Sequence, residues 1–139
     1  MPPPFGIDME CTGASMSANA NLDVFIGYNG LLSRAQSYLG EAAPRNPLVS
    51  ALYADLKGLP PLLIHVGSDE ALLDDSTRLA ALATDFGVDV TLKIWDNMVH
   101  VWQVFSSYYQ KARIHRGNWR IYSQKVGLEH LDKSRFVDT

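Results

Sequence analysis

Cysteine is nearly absent from the chain. Cys11 stands alone among 139 residues, so no internal disulfide forms, and the four histidines make no Cys/His cluster with the spacing of a zinc site. A reducing, cytoplasmic setting is the expectation. Long apolar runs are missing too. Each is broken within a few residues by Asp, Gly or Arg, far short of the roughly 18 apolar residues a membrane-crossing helix needs. The start, MPPPFGIDMEC, has neither a basic region nor an apolar core, so it does not read as a signal peptide, and Met1 to Pro4 reads as an unstructured lead-in. Positive charge is in deficit, with 12 Lys and Arg against 15 Asp and Glu and a net charge of −3. That is the wrong sign for a nucleic-acid or anionic-lipid partner. No internal repeat or low-complexity tract is present.

What remains is the composition of a packed globular chain. Hydrophobic residues make up 47% and charged residues 19%, and the length suits one domain over 1–139. Leu31, Leu32, Ala35, Tyr38 and Leu39 recur at helical spacing, with Asn29 placed to cap the start and Gly40 to close the end. Residues 41–61 carry Pro44, Pro47, Gly58, Pro60 and Pro61 and read as a connecting loop. The run LLIHV, residues 62–66, follows a proline pair and does not alternate, which suits a strand covered on both faces in a parallel sheet.

Asp74, Asp75 and Ser76 offer first-turn acids and a cap for a second helix, whose core face is Leu79, Leu82, Ala83 and Phe86 and whose end is Gly87. Then Val88, Val90, Leu92 and Ile94 alternate with Asp89, Thr91, Lys93 and Trp95 as a strand. Strand, helix and strand make a βαβ unit, and a right-handed crossover sets the two strands parallel with their carboxyl ends at one rim. The fold class is α/β. Beyond His100, Val101, Val104, Phe105, Tyr108 and Ala112 recur at helical spacing, which puts the histidine at a helix entry, whereas the tail after Ile114 is more charged and less periodic.

Ligands and catalytic groups of open α/β sheets gather at the carboxyl rim. There the chain places Glu70 just past the first strand and His100 just past the second, 30 residues later. That separation is about what one helix and one strand consume. A carboxylate beside an imidazole fixes its tautomer and stabilises the imidazolium formed when it takes a proton. The pair is two-thirds of a hydrolytic triad. The bland alternative is that both are ordinary loop polar residues. His65, inside the strand, reads as a packed core histidine, and His115 and His130 as surface residues. For Asp74 and Asp75 helix capping is the better reading.

The runs GLPPLLIHVGSDEALLDDSTRLA and GVDVTLKIWDNMVHVWQVF resemble the carboxyl-terminal part of the hormone-sensitive-lipase-like esterases, the group called α/β hydrolase fold-3. The resemblance covers about residues 29–105, takes in the connector YLGEAAPRNPLVSALYADLKG, and fades over 1–28 and 114–139. It implies a partial α/β-hydrolase fold, carboxylic ester hydrolysis through an acyl-enzyme, a small-molecule ester substrate and no metal or organic cofactor. In that family the motif after the seventh strand carries the triad acid, and a motif of the form aromatic-acid-x-Met-x-His-x-Trp or -Phe carries the triad histidine. These roles fall on Glu70 and His100, with Asp69 ranked second for the acid because it needs a register shift.

The family's nucleophile, a serine in a G-x-S-x-G elbow, and its HGGG-type oxyanion loop are both missing. The nearest string, Gly13-Ala14-Ser15-Met16-Ser17, lacks the second glycine and lies too close to Glu70, so Ser15 reads as a loop serine. The chain therefore reads as the acid and histidine half of an esterase, inactive alone. Two rival readings are a non-catalytic interaction module and a truncated fragment. Unpaired sheet edges offer a docking template, either for a complementing amino-terminal half or for a second copy in a homo-oligomer.

Overall fold

The computed structural model describes residues 7–105, which fall into two units parting between His100 and Val101. The expected lead-in Met1 to Pro4, the helical positions Tyr108 and Ala112, His115, His130 and the tail after Ile114 lie outside the described residues.

The architecture of the first unit is α/β. A short helix, α1 (Ser15–Ala18), is followed by α2 (Tyr28–Leu39), a 3₁₀ turn at Ala51–Tyr53, strand β1 (Leu62–Gly67), helix α3 (Leu73–Asp85) and strand β2 (Val90–Trp95). The expected βαβ unit is present. β1 and β2 pair in parallel, in register from Leu62 opposite Val90 to Gly67 opposite Trp95, with α3 as the crossover. Ala83, Val88 and Leu56 form a buried cluster beneath the pair, against which Leu62, Leu79, Leu82 and Val90 pack. A second cluster joins α2, through Leu31 and Ala35, to Met9, Cys11, Met16, Ile26, Ala71 and Leu72.

Local chemistry departs from the sequence reading in five places. Helix α2 starts earlier than Asn29: Gly27 is its extended N-cap, its carbonyl accepting from the Leu31 amide at 2.9 Å, and Asn29 lies inside the first turn. Gly40 does end it, at φ 55 where a side chain would be strained. Asp74 and Asp75 do not cap α3. Both carboxylates instead accept from main-chain amides of the amino-terminal segment, Asp75 from Ile7 and Asp8 and Asp74 from Ser15. Phe86 is partly exposed at the helix end, and Ala80 takes its place in the interior beside Ala83. In β2 the alternation reverses at its end, Ile94 being 45% exposed and Trp95 only 7%. The Trp95 ring covers the sheet face shared with His65, whose ring centroid lies 5.5 Å away, and Lys93 places its ammonium 4.1 Å from the same ring. Finally, no α-helix begins at His100. Val101 adopts φ 51, a conformation a β-branched residue rarely takes, and a 3₁₀ turn follows over Trp102–Phe105.

Residues 7–12 are stitched onto α3 by carboxylates. Asp75 Oδ2 accepts from the amides of Ile7 and Asp8, each at 3.1 Å. Asp8 in turn accepts from the amides of Glu10 and Thr12 and from Arg78 Nη1 at 2.9 Å. The two acids differ in what this does to them. Burial opposes ionisation of Asp8, but the bonds from Thr12, Arg78 and Glu10 outweigh it and hold the carboxyl below its ordinary value. Burial of Asp75 prevails over its two amide bonds and pushes that carboxyl up. The buried Cys11 thiol is pushed up to about 11 by burial and by the charges of Asp75 and Asp8, which keeps it protonated at neutral pH.

The two signs predict opposite pH behaviour. The stability Asp8 contributes is complete above its unfolded value near 3.8 and is lost as the pH falls through the lower folded value. Asp75, raised above its unfolded value, destabilises as the pH rises through its folded value. In urea unfolding at pH 7, Asp8→Asn is expected to lose about 1–3 kcal/mol. Asp75→Asn, which keeps the accepting oxygen without the buried charge, holds or raises the midpoint.

Candidate active site

The rim of the sheet is assembled where the ends of β1 and β2 meet. Gly67 closes β1, and the Met98 carbonyl of the loop after β2 lies directly over it: a Cβ at position 67 would fall 1.9 Å from the Met98 oxygen and 2.5 Å from its carbonyl carbon. Only glycine admits this approach. The same Met98 carbonyl accepts from the Asp69 amide at 3.2 Å, and the Ser68 amide donates to the Trp95 carbonyl at 2.9 Å. The Ser68 hydroxyl adds a second bridge, accepting from the Asn97 amide at 2.9 Å and donating to Asp69 Oδ1 at 2.7 Å. Asn97 sits at φ 57, in the left-handed region that asparagine tolerates.

This stitching brings the two expected residues together. His100 Nδ1 lies 3.1 Å from Glu70 Oε2, and the side chains are 18% and 7% exposed. Glu70 Oε1 accepts from the Gly67 amide at 2.7 Å, so each oxygen of this buried carboxylate has a partner. An ionised carboxylate only accepts, so Nδ1 carries the proton and Nε2 is the basic nitrogen. Asp69, the second-ranked acid, is turned to the Ser68 hydroxyl. Neighbouring positions of a turn point in different directions, and here Glu70 is the one that meets the imidazole.

Ser15 is not the loop serine expected from sequence. It opens α1, is buried, donates through Oγ to the Ala71 carbonyl at 2.7 Å and accepts from the Asp74 amide at 3.0 Å. Its own amide donates to Asp74 Oδ2 at 3.0 Å. The hydroxyl thus caps α3 from a distance, with no link to His100. Among the described residues no group of three His, Cys, Asp or Glu is placed to hold a metal ion.

Sequence reasoning missed the residues that hold the acid's turn from behind. Asn19 Nδ2 donates to the carbonyls of Ser68 and Glu70, at 2.9 and 2.8 Å. Asp23 Oδ2 accepts from the Ala71 amide at 2.9 Å while Oδ1 takes the amides of Phe25 and Ile26. Nothing in local spacing announces contacts made across some 50 residues of chain. A glycine closing a strand at a prospective rim was the one visible signal, for Gly67.

A carboxylate that orients an imidazole at adjoining tips of parallel strands is an arrangement suited to acid–base chemistry, and comparison with known proteins shows the family. The profile of the alpha/beta hydrolase fold matches residues 1–104. The chain belongs to that family. It is 42% identical over 95 residues to an acetyl-hydrolase of Streptomyces hygroscopicus, covering 68% of this chain and 32% of that protein. An esterase of Acinetobacter venetianus is 35% identical over 108 residues, covering 77% and 36%. Among solved structures, an esterase from the bacterial hormone-sensitive lipase family superposes with a TM-score of 0.83 at 43% identity, over 86% of this chain and 40% of the other. An esterase/lipase from an uncultured bacterium gives 0.74 at 45% identity, over 78% and 36%. The resemblance to hormone-sensitive-lipase-like esterases therefore holds, and the hydrolase match includes residues 1–28, where the sequence likeness was weakest. This chain spans about a third of the length of the curated hydrolases it matches.

Gly67→Ala tests the geometry directly. The methyl group must displace the Met98 backbone, so the variant is expected to lose about 3 kcal/mol in urea unfolding. The downfield Nδ1 proton resonance of His100 should disappear with it, because the loop carrying the imidazole moves off Glu70.

Proposed function

We propose that this chain supplies the acid and the general base of a serine esterase acting on small-molecule carboxylic esters, and that the nucleophile and oxyanion donors come from an amino-terminal half. The observation that carries this reading is the 3.1 Å contact between Glu70 and His100 at adjoining strand tips. In the reaction, His100 Nε2 takes the proton of a serine hydroxyl as its oxygen attacks the ester carbonyl, then returns that proton to the leaving alkoxide. A second round with water as nucleophile hydrolyses the acyl-enzyme. Glu70 orients the ring and stabilises the imidazolium formed in each half. The route uses nucleophilic and acid–base chemistry and calls for no cofactor. The ester class is drawn from the acetyl-hydrolase and esterase relatives.

No G-x-S-x-G or HGGG string occurs in the 139 residues, and Ser15 is engaged in capping. A base without a nucleophile or an oxyanion hole cannot run acyl transfer. The polypeptide by itself is therefore inactive in this reading. Among the described residues β1 and β2 pair only with each other, so each has an unpaired edge for a complementing half. A second reading, a non-catalytic module that binds a partner, rests on the same sheet edges. A cytoplasmic setting belongs to the proposal, in keeping with the free, buried thiol of Cys11.

Two measurements separate the readings. The purified chain is expected to hydrolyse short-chain p-nitrophenyl esters no faster than its His100→Ala variant, and a fluorophosphonate probe should label none of its serines; labelling would reveal a nucleophile and overturn the division of labour. Conversely, residues 1–104 grafted in place of the matching segment of the Acinetobacter venetianus esterase should give an active chimera. In it His100→Ala and Glu70→Gln lower kcat roughly 10³- to 10⁴-fold. A chimera indifferent to both substitutions leaves only the binding module.

A further inference from the structure

We propose that Asn19 is a positioning residue for the acid–histidine pair, holding the Glu70 backbone so that its carboxylate reaches His100; this rests on the catalytic reading of that pair. The Asn19 side chain faces two main-chain carbonyls, Ser68 O at 2.9 Å and Glu70 O at 2.8 Å. Both are acceptors only, so the atom facing them is the amide nitrogen, and its two protons serve one carbonyl each. These carbonyls flank Asp69. Tying them to a single nitrogen fixes the 68–69 and 70–71 peptide planes, the second of which carries the carbonyl of Glu70 itself, and with them the direction in which the Glu70 side chain leaves the turn.

The clamp is continued on the next residue. Ala71 donates its amide to Asp23 Oδ2, and Asp23 is itself held by the amides of Phe25 and Ile26. One short stretch, residues 19–23, therefore grips the acid's turn through its carbonyls and an amide. On the other side, the Glu70 carboxylate is held by the Gly67 amide and His100 Nδ1. Asn19 touches neither His100 nor the carboxylate, so its effect passes through the turn. It is also poorly replaced. Aspartate has the same shape but no protons to give, and it would set a negative charge against two carbonyl oxygens; alanine leaves both carbonyls without this partner. A site whose groups must stay within about 0.5 Å of their working geometry depends on such supporting bonds.

The test reads the His100 Nδ1 proton by NMR in the full 139-residue chain, comparing wild type with Asn19→Asp, Asn19→Ala, Ser17→Ala and Glu70→Gln. Ser17 is exposed on α1, the helix that Asn19 follows, and its hydroxyl donates to the Ala14 carbonyl, so it reports general effects on α1. Glu70→Gln removes the ionised acceptor and marks complete loss. With the β1 and β2 amides still protected, both Asn19 variants should exchange the Nδ1 proton with water about tenfold faster, the equivalent of one lost hydrogen bond, while Ser17→Ala matches wild type. Unchanged exchange in a folded Asn19 variant overturns the proposal. Should both variants unfold, the wild type decides: couplings across the hydrogen bonds from the Asn19 amide to the carbonyl carbons of Ser68 and Glu70 support the clamp, and their absence overturns it. If Glu70→Gln leaves the Nδ1 proton unaltered, the acid–histidine reading itself fails, separately from Asn19.

Discussion

The site depends on how closely two strand tips approach. With no side chain on Gly67, the Met98 carbonyl rests against the end of β1 and accepts the Asp69 amide, so the loop after β2 is pulled over the turn after β1. A methyl group there would hold the two loops apart, and the 3.1 Å contact between Glu70 and His100 would have no scaffold. Parallel pairing sets the strands side by side; the missing Cβ sets the distance between what they carry. Backbone approach of this kind is a steric condition and cannot be recovered by a better hydrogen bond elsewhere.

Around that contact the polar groups divide into two sets. One faces the imidazole: both Glu70 oxygens are occupied, one by an amide of the strand end and one by the ring, so the carboxylate is buried with its acceptors satisfied. The other set faces inward, toward the amino-terminal segment. Asn19, Asp23, Ser15 and Asp75 each spend side-chain polarity on main-chain groups far away in sequence. Short polar side chains in an irregular segment do here what backbone ladders do within a sheet. They satisfy buried amides and carbonyls while fixing where a loop runs.

This division explains what could be read from the amino acids. The parallel unit, the rim and the pair Glu70 and His100 were legible because each rests on a local pattern: an unalternating run, a helical face, an alternating run, and polar residues just past each strand. Asp74 and Asp75 were misread as caps because composition alone cannot tell which amides a carboxylate will find, and the nearest in sequence lost to those of Ile7, Asp8 and Ser15. Trp95 was assigned to the polar face by strict alternation, yet a ring that large buries itself against His65 and Lys93 on whichever face it occupies. The holding residues Asn19 and Asp23 left no periodic trace, since their partners lie 51 and 48 positions further on.

The reciprocal bonds between Ser15 and Asp74 bear on how the chain folds. They join residues 59 positions apart, and through them the first turn of α3 receives a hydroxyl acceptor from outside the helix. An isolated helix of 13 residues is marginal in water. Its completed amino-terminal end must wait until a long stretch of chain has closed on itself, with the entropy that such closure costs. Completion of the crossover helix is thereby coupled to docking of the leading segment, a contact of high sequence separation.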